Sequence, residues 1–409
     1  MTEFSTVTVT PKAETLLRGG HVWVYADEIT AGPDAEVEDG SLVCIRSAKG
    51  KFLGTGFFNS HSKIRVRLIS RNPNDRFDRA FWERRLRWAI DYRHTVMGEP
   101  DFSCCRLIFG EADTLPGLTV DRFGDVLVIE SLCLGTDRLR DLLYPTIARI
   151  LREEYHQNIR VIYLRNDSPI RKLEGMETGC GFYAGEGLES DTDGLTEICE
   201  NGIFYEVDYI NGQKTGFFLD QKYNRNAIRP IAKGKRVLDC FTHTGSFGLN
   251  AAAGDAQAVT SVDVSADALR IAARNAVRNG FSDRISYLCE DVFDLLARLE
   301  ASGQHPYDFI ILDPPAFTKS RDTLRNAIKG YREINTRAMR ILPRGGYLAT
   351  CSCSHFMTET YFKQMLHNAA ADAGVSLRQI EARQQSPDHP ILWNVPETDY
   401  LKFFIFQIG

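Results

Sequence analysis

The chain has 409 residues, 43% of them hydrophobic and 25% charged, with a formal net charge of −5. That length exceeds what one hydrophobic core organises and predicts about two to four domains, while the composition excludes disorder over most of the chain. The acidic balance argues weakly against nucleic-acid binding by the whole chain but does not exclude a local basic patch. The start, Met1 to Thr6, shows neither the basic nor the apolar region of a secretory leader, and no run is long enough to span a bilayer, so a soluble cytoplasmic protein is expected. The ten cysteines contain no Cys-x-x-Cys spacing, which predicts mostly buried small hydrophobes, no disulfide framework and no metal site.

Residues 1–78 read as short strands, at Val7–Val9, Ser41–Arg46, Phe52–Phe58 and Lys63–Ile69, broken by segments rich in Gly, Asn and Asp. This is the punctuation of a small β-barrel or sandwich. In the last strand Lys63, Arg65 and Arg67 alternate with Ile64, Val66 and Leu68, so the three cations share a face. Between Arg46 and Arg93 there are thirteen Lys and Arg against four Asp and Glu. The excess predicts a surface that contacts phosphates and holds position without reading sequence, against the simpler reading of a solvated outer face.

Residues 79–185 read as a small α+β domain. A helix is predicted from Arg79 to about Arg93, then a hairpin from Gly117–Asp121 into Val126–Glu130, an amphipathic helix over Thr136–Glu154 and a strand at Val161–Leu164. Residues 186–409 alternate helical and strand periods, the signature of a doubly wound α/β domain.

In that last part, Lys235 to Gly248 reads as a strand running into a Gly-containing loop and then a helix. Asp239, Thr242, Gly245 and Ser246 lie where small residues let backbone approach a nucleotide, and the three-glycine dinucleotide fingerprint is absent. The next strand ends at Asp263, placed to accept a ribose diol unless it merely caps the following helix, a role Ser265 fills equally well. Asp291, after the third strand, is placed to accept from an adenine amine. Together the three strand ends describe an adenosyl pocket.

Two further apolar runs deliver polar groups at their C-terminal ends: Asp308 to Leu312 leads into Asp313-Pro314-Pro315-Ala316-Phe317, and Tyr347 to Thr350 leads into Cys351-Ser352-Cys353-Ser354-His355. In an open parallel sheet that end is where ligands bind, and a thiol beside an Asp-Pro-Pro turn points to covalent chemistry on a planar substrate. Cys351 and Cys353 share a face on a strand, and Cys353 lies farther toward the open edge.

These motifs, with Asn211 to Gln221 ahead of the first strand and Asp388-His389-Pro390 near the C-terminus, resemble the RlmI-type large-subunit ribosomal RNA cytosine-5 methyltransferases over essentially the whole chain. The resemblance implies an N-terminal PUA domain, a central domain and a Rossmann-like class I methyltransferase domain. Its sheet would have seven strands with a reversed last strand near Tyr400–Gln407. It implies S-adenosylmethionine as cofactor, with Phe217, Asp220 and Gln221 flanking its methionine end, large-subunit ribosomal RNA as partner, and the further option of a homodimer. Its Ser-Cys-Ser pattern falls on Cys353.

In such enzymes a thiolate adds to C6 of cytosine and makes C5 nucleophilic, after which a base removes the C5 proton and the thiol leaves. Asp313 would bind the N3/N4 edge and stabilise charge, Pro314-Pro315 would fix the loop and Phe317 would offer a stacking face. Where the wider RNA cytosine-5 group carries a second cysteine in this loop, the chain has Ala316-Phe317; His355, Asp388 and His389 are the candidates for proton removal. Guanine methylation, which needs no thiol, is the alternative chemistry, and a non-catalytic RNA-binding assembly factor the alternative class.

Overall fold

The computed structural model describes residues 4–33, 36–318 and 320–409, so residues 1–3 of the stretch read for a leader lie outside it. The chain forms two compact units, residues 1–198, 207–219 and 387–398 in one, and 199–206, 220–386 and 399–409 in the other.

The first unit contains two sheets. Thr6–Val9, Trp23–Tyr25, Ile29–Ala31, Leu42–Ser47, Phe52–Phe58 and Ile64–Ser70 form a six-stranded sheet whose alternating apolar residues, Val7, Val9, Val43, Ile45, Val66 and Leu68 among them, close a small core. Cys104–Phe109, Leu118–Phe123, Val126–Ser131, Val161–Asn166 and Gly179–Phe182 form a five-stranded sheet, with the predicted hairpin antiparallel between Leu118–Phe123 and Val126–Ser131. The helix expected to end near Arg93 runs on to Met97, capped by Asp78.

Segments assigned from sequence to the C-terminal domain pack here instead, because buried polar groups hold them. Thr215 Oγ1 donates to Asp121 at 2.6 Å, Arg165 to the Gly212 carbonyl at 2.8 Å, and the Arg106 N–H to Asp388 Oδ2 at 2.8 Å.

The second unit is built on a seven-stranded sheet, β1 (Arg236–Cys240), β2 (Ala258–Asp263), β3 (Ile285–Cys289), β4 (Phe309–Leu312), β5 (Tyr347–Ser352), β6 (Leu377–Arg383) and β7 (Lys402–Ile408), in the order β3-β2-β1-β4-β5-β7-β6. Only β7 runs against its neighbours, pairing antiparallel with both β5 and β6. The helices between strands are α1 (Ser246–Ala253), α2 (Ala266–Arg278), α3 (Val292–Ser302), α4 (Leu324–Ile341) and α5 (Glu359–Ala373). β4 is buried along its whole length, as its unbroken Phe-Ile-Ile-Leu run requires for a strand covered on both faces. The order reverses beside β1, so the loops after β1 and β4 diverge at a switch point, where such sheets bind ligands. No helix among the described residues is long and apolar enough to cross a membrane.

Candidate active site

The loop after β1 is shaped by backbone. Phe241, His243 and Gly245 all take positive φ, 62°, 51° and 86°, and two of them are not glycine. Such conformations cost of order 1–3 kcal/mol each and persist where the surroundings over-determine them. Here the His243 N–H is held by Asp263 Oδ2 at 2.9 Å, and the Thr242 N–H by the Val262 carbonyl at 2.9 Å. Gly248 brings α1 onto β1 so closely that its N–H donates to Asp239 Oδ2 at 2.8 Å, and a Cβ there would lie 2.5 Å from Ser261 Oγ.

Asp239 is fully buried. Its Oδ2 also accepts from Thr242 Oγ1, while its Oδ1 has no partner among the described residues. Burial pushes its pKa up to about 7, and the nearby carboxylates of Asp313 and Asp263 add to the rise. Asp263 is half-buried and does not cap α2; Ser265 does, accepting from the Ala268 N–H at 3.2 Å. Asp291 accepts from the Phe293 N–H at 2.7 Å and so caps α3, which commits its Oδ1. The unpartnered Asp239 oxygen, the strained loop and the two acids at the ends of β2 and β3 fit a nucleoside with polar edges. Ser246, half-buried, opens α1 directly behind Gly245.

Asp313 emerges from β4 beside β5, since Leu312 pairs with Thr350. Cys351 Sγ donates to Asp313 Oδ1 at 2.8 Å, and Gln221 Nε2 donates to the same oxygen at 3.2 Å and to Cys351 Sγ at 3.4 Å. Gln221 is fixed in turn by Asn224, whose Nδ2 donates to its Oε1 at 2.7 Å. Asp220 accepts from the Tyr400 hydroxyl at 2.8 Å. Burial raises Asp313 to about 6, against the hydrogen bonds from Cys351 and Gln221 that favour its anion. Among the described residues the hydrogen bonds to this carboxyl fall on Oδ1.

Cys351 is fully buried, and burial with the adjacent Asp313 charge pushes its thiol well above the ordinary range. Cys353, one residue past the end of β5, is partly exposed. Ser352 donates to the Tyr331 hydroxyl at 3.0 Å, and Ser354 Oγ to the Thr318 carbonyl at 2.8 Å, so the thiol turn and the Asp-Pro-Pro loop are tied together.

Several sequence expectations need correction. Phe317 does not stand free as a stacking face: its ring packs on Tyr331 at 4.6 Å and on Phe293 at 5.8 Å, anchoring the loop behind Pro314 and Pro315. Pro314 is buried and Pro315 exposed. Asp388 and His389 are buried in the first unit, where Asp388 receives Arg106 and its carbonyl receives Arg93; they serve as a structural pin. His355 lies in the second unit, its ring against Phe356 and its Nδ1 without a partner among the described residues. Phe217 belongs to the first unit and is buried there.

Arg67 leaves the proposed cationic face. It is buried between Glu111 at 2.9 Å, in the turn Gly110–Asp113, and Glu174 at 3.0 Å, at the end of the helix Ile170–Leu173. Arg93 is also buried, on Asp113. Arg65 is half-buried and donates to the carbonyls of Asn59 and Ser60, whereas Lys63 is exposed, as are Arg46, Lys49, Lys51, Arg71, Arg76, Arg79 and Arg84.

Sequence reasoning missed Lys402. It interrupts the apolar run from Leu401 to Phe406 and is buried, with Nζ donating to the Ser354 and Tyr400 carbonyls. A charge inside a buried strand was the available signal. It also missed the pair Arg225–Glu200, fully buried at 2.6 Å, which stiffens the segment carrying Gln221.

Comparison with known proteins agrees with this geometry. Residues 171–407 match a family model described as S-adenosylmethionine-dependent methyltransferase, and residues 7–71 one described as a PUA-like domain. The chain is similar to the ribosomal RNA large subunit methyltransferase I of Cronobacter sakazakii, 38% identical over 398 residues and 97% of both chains. The same is true of that of Pseudoalteromonas translucida, 38% identical over 396 residues and 96% of both chains. Among solved structures, a SAM-dependent methyltransferase fold from Streptococcus mutans superposes with a TM-score of 0.81 at 24% identity, over 98% of this chain and 100% of the other. A second solved chain of this class, complexed with SAH, gives the same values. At that identity the shared property is the fold.

Proposed function

Because the chain belongs to the ribosomal RNA large subunit methyltransferase I family of S-adenosylmethionine-dependent enzymes, we propose that it methylates C5 of a cytosine in large-subunit ribosomal RNA through a covalent adduct on Cys353. Methylation of ribosomal RNA follows from the family; the base, the atom and the adduct are the proposal.

The observation that carries it is the Asp313 clamp. Cys351 and Gln221 occupy Oδ1 and leave Oδ2 for a substrate, one strand away from the turn that carries Cys353. Cytosine presents an acceptor at N3 and a donor at N4. Through Oδ2 alone, a protonated carboxyl donates to the N3 acceptor of cytosine, whereas a carboxylate accepts from the N1–H donor that guanine presents. With its pKa lifted to about 6, Asp313 reaches the acid form at pH 7 for only ~1.4 kcal/mol. This favours cytosine.

The residues then divide the work. Cys353 attacks C6 as its thiolate; the C5–C6 π pair shifts to C5 as the S–C6 bond forms, and Asp313 passes its proton to N3. Bound S-adenosylmethionine supplies the electrophilic methyl group. Asp239, Thr242, Gly245, Ser246, Asp263 and Asp291 would hold its adenosyl part, with Asp220 and Gln221 toward the methionine end. Proton loss from C5 then expels the thiolate, N3 returns its proton to Asp313 and the neutral ring is restored, with His355 the candidate base for the C5 proton, its Nδ1 being unpartnered among the described residues. Lys63 and the neighbouring exposed cations would hold RNA phosphates.

Nucleoside mass spectrometry of ribosomal RNA incubated with the protein and cofactor tests the reading. 5-Methylcytosine is expected, and its formation should disappear in Cys353→Ala; a methylguanine product removes the thiol mechanism.

A further inference from the structure

Lys402 is paired in register with Ser352, the last residue of β5, so it reaches the residues that follow that strand. Its side chain is 3% exposed, a rare position for an ammonium unless something there requires the charge. Nζ donates to the Ser354 carbonyl at 2.7 Å and to the Tyr400 carbonyl at 2.8 Å, which commits two of its three protons. Ser354, the residue so gripped, follows Cys353 directly and is itself tied to Thr318 at 2.8 Å. No carboxylate forms a salt bridge with Lys402 among the described residues.

We infer that Lys402 is the positioning residue of the nucleophile: it fixes the Cys353–Ser354 turn through the Ser354 carbonyl and supplies the buried positive charge that holds Cys353 as a thiolate. The inference rests on Cys353 being the attacking group. In this step the Cys353 S–H proton passes to water, the electron pair stays on sulfur, and the ammonium keeps its three protons.

The surrounding groups are consistent with it. Burial pulls Lys402 down to about 8, and among the charges acting against that, Cys353 comes first, followed by Asp399, Cys351 and Glu359. Tyr331 also faces Cys353, and its phenol is driven up by burial, so it stays neutral and cannot take the place of the cation.

The test is alkylation of the full-length protein by iodoacetamide across pH, read at Cys353 by peptide mass spectrometry. The unmodified protein should show a midpoint below the ordinary thiol value of about 8.5. In Lys402→Met the midpoint should rise by a pH unit or more, about tenfold less thiolate at neutral pH, while Lys402→Arg keeps it low. A folded Lys402→Met protein with an unchanged midpoint overturns the inference. If that variant does not fold, the unmodified protein decides alone, since a midpoint at or above about 8.5 overturns the inference as well. Failure of the nucleophile assignment would look different: methyl transfer would survive Cys353→Ala while the alkylation response to Lys402 stayed as stated.

Discussion

The thiol of Cys351 donates its hydrogen to Asp313 Oδ1 at 2.8 Å. The two cysteines of the β5 end therefore differ in setting: Cys351 is buried against a carboxyl, and Cys353 is partly exposed.

Removing that donor has a definite sign. The Cys351 hydrogen bond favours the Asp313 anion, so Cys351→Ala should lift the carboxyl above its value of about 6. A reaction that needs Asp313 protonated and Cys353 ionised has a flat rate between the two pKa values and falls outside them. The acid limb of kcat/KM against pH should therefore lie near 6 and move upward in Cys351→Ala, with methyl transfer retained. Loss of all activity in that variant would instead make Cys351 the nucleophile.

Asp239 predicts a pH-dependent stability. Its pKa rises from an ordinary 3.8 to about 7 on folding, so the folded chain binds that proton more tightly than the unfolded one. The stability it contributes is full below about 3.8 and lost as pH climbs through about 7. Asp239→Asn keeps an acceptor for Thr242 and Gly248 and removes the titration. The melting temperature of the cofactor-free variant, compared with the parent, should gain progressively between pH 4 and 8; parallel curves would contradict the assignment.

Lys63 and Arg67, four residues apart, should behave oppositely. Arg67→Met strips the buried partners Glu111 and Glu174 of their cation and should cost about 3–5 kcal/mol in denaturant unfolding. Lys63→Ala should leave unfolding unchanged and lower the slope of log affinity for ribosomal RNA against log salt by about 1. An unchanged slope would remove Lys63 from the phosphate surface.

This contrast shows where sequence reading stops. Period-two alternation grouped Lys63, Arg65 and Arg67, yet the strand begins at Ile64, and only the packed structure shows that Glu111 and Glu174, distant in sequence, pair with Arg67. Much of the methyltransferase sheet was legible because β4 and β5 open on apolar runs and β1, β2 and β3 end near Asp, Gly or Cys, whereas β6, Leu377–Arg383, is mostly polar and gave no such signal; the reversed β7 followed from the family resemblance. The placement of residues 207–219 and 387–398 in the first unit was not legible, because it goes with hydrogen bonds to residues distant in sequence that local pattern does not encode. The packing of Phe317 was hidden for the same reason: Tyr331, on a helix fourteen residues later, takes up part of its ring while the side chain stays partly exposed.

The central claim, covalent catalysis at Cys353, is tested most directly by ribosomal RNA carrying 5-fluorocytosine. Fluorine at C5 leaves no proton to remove after methyl transfer, so the S–C6 bond cannot break. With S-adenosylmethionine present, a denaturation-resistant protein–RNA complex should form, and peptide mapping should find the nucleotide on Cys353. A complex mapped to Cys351, or methylated RNA released with no complex at all, would contradict the account.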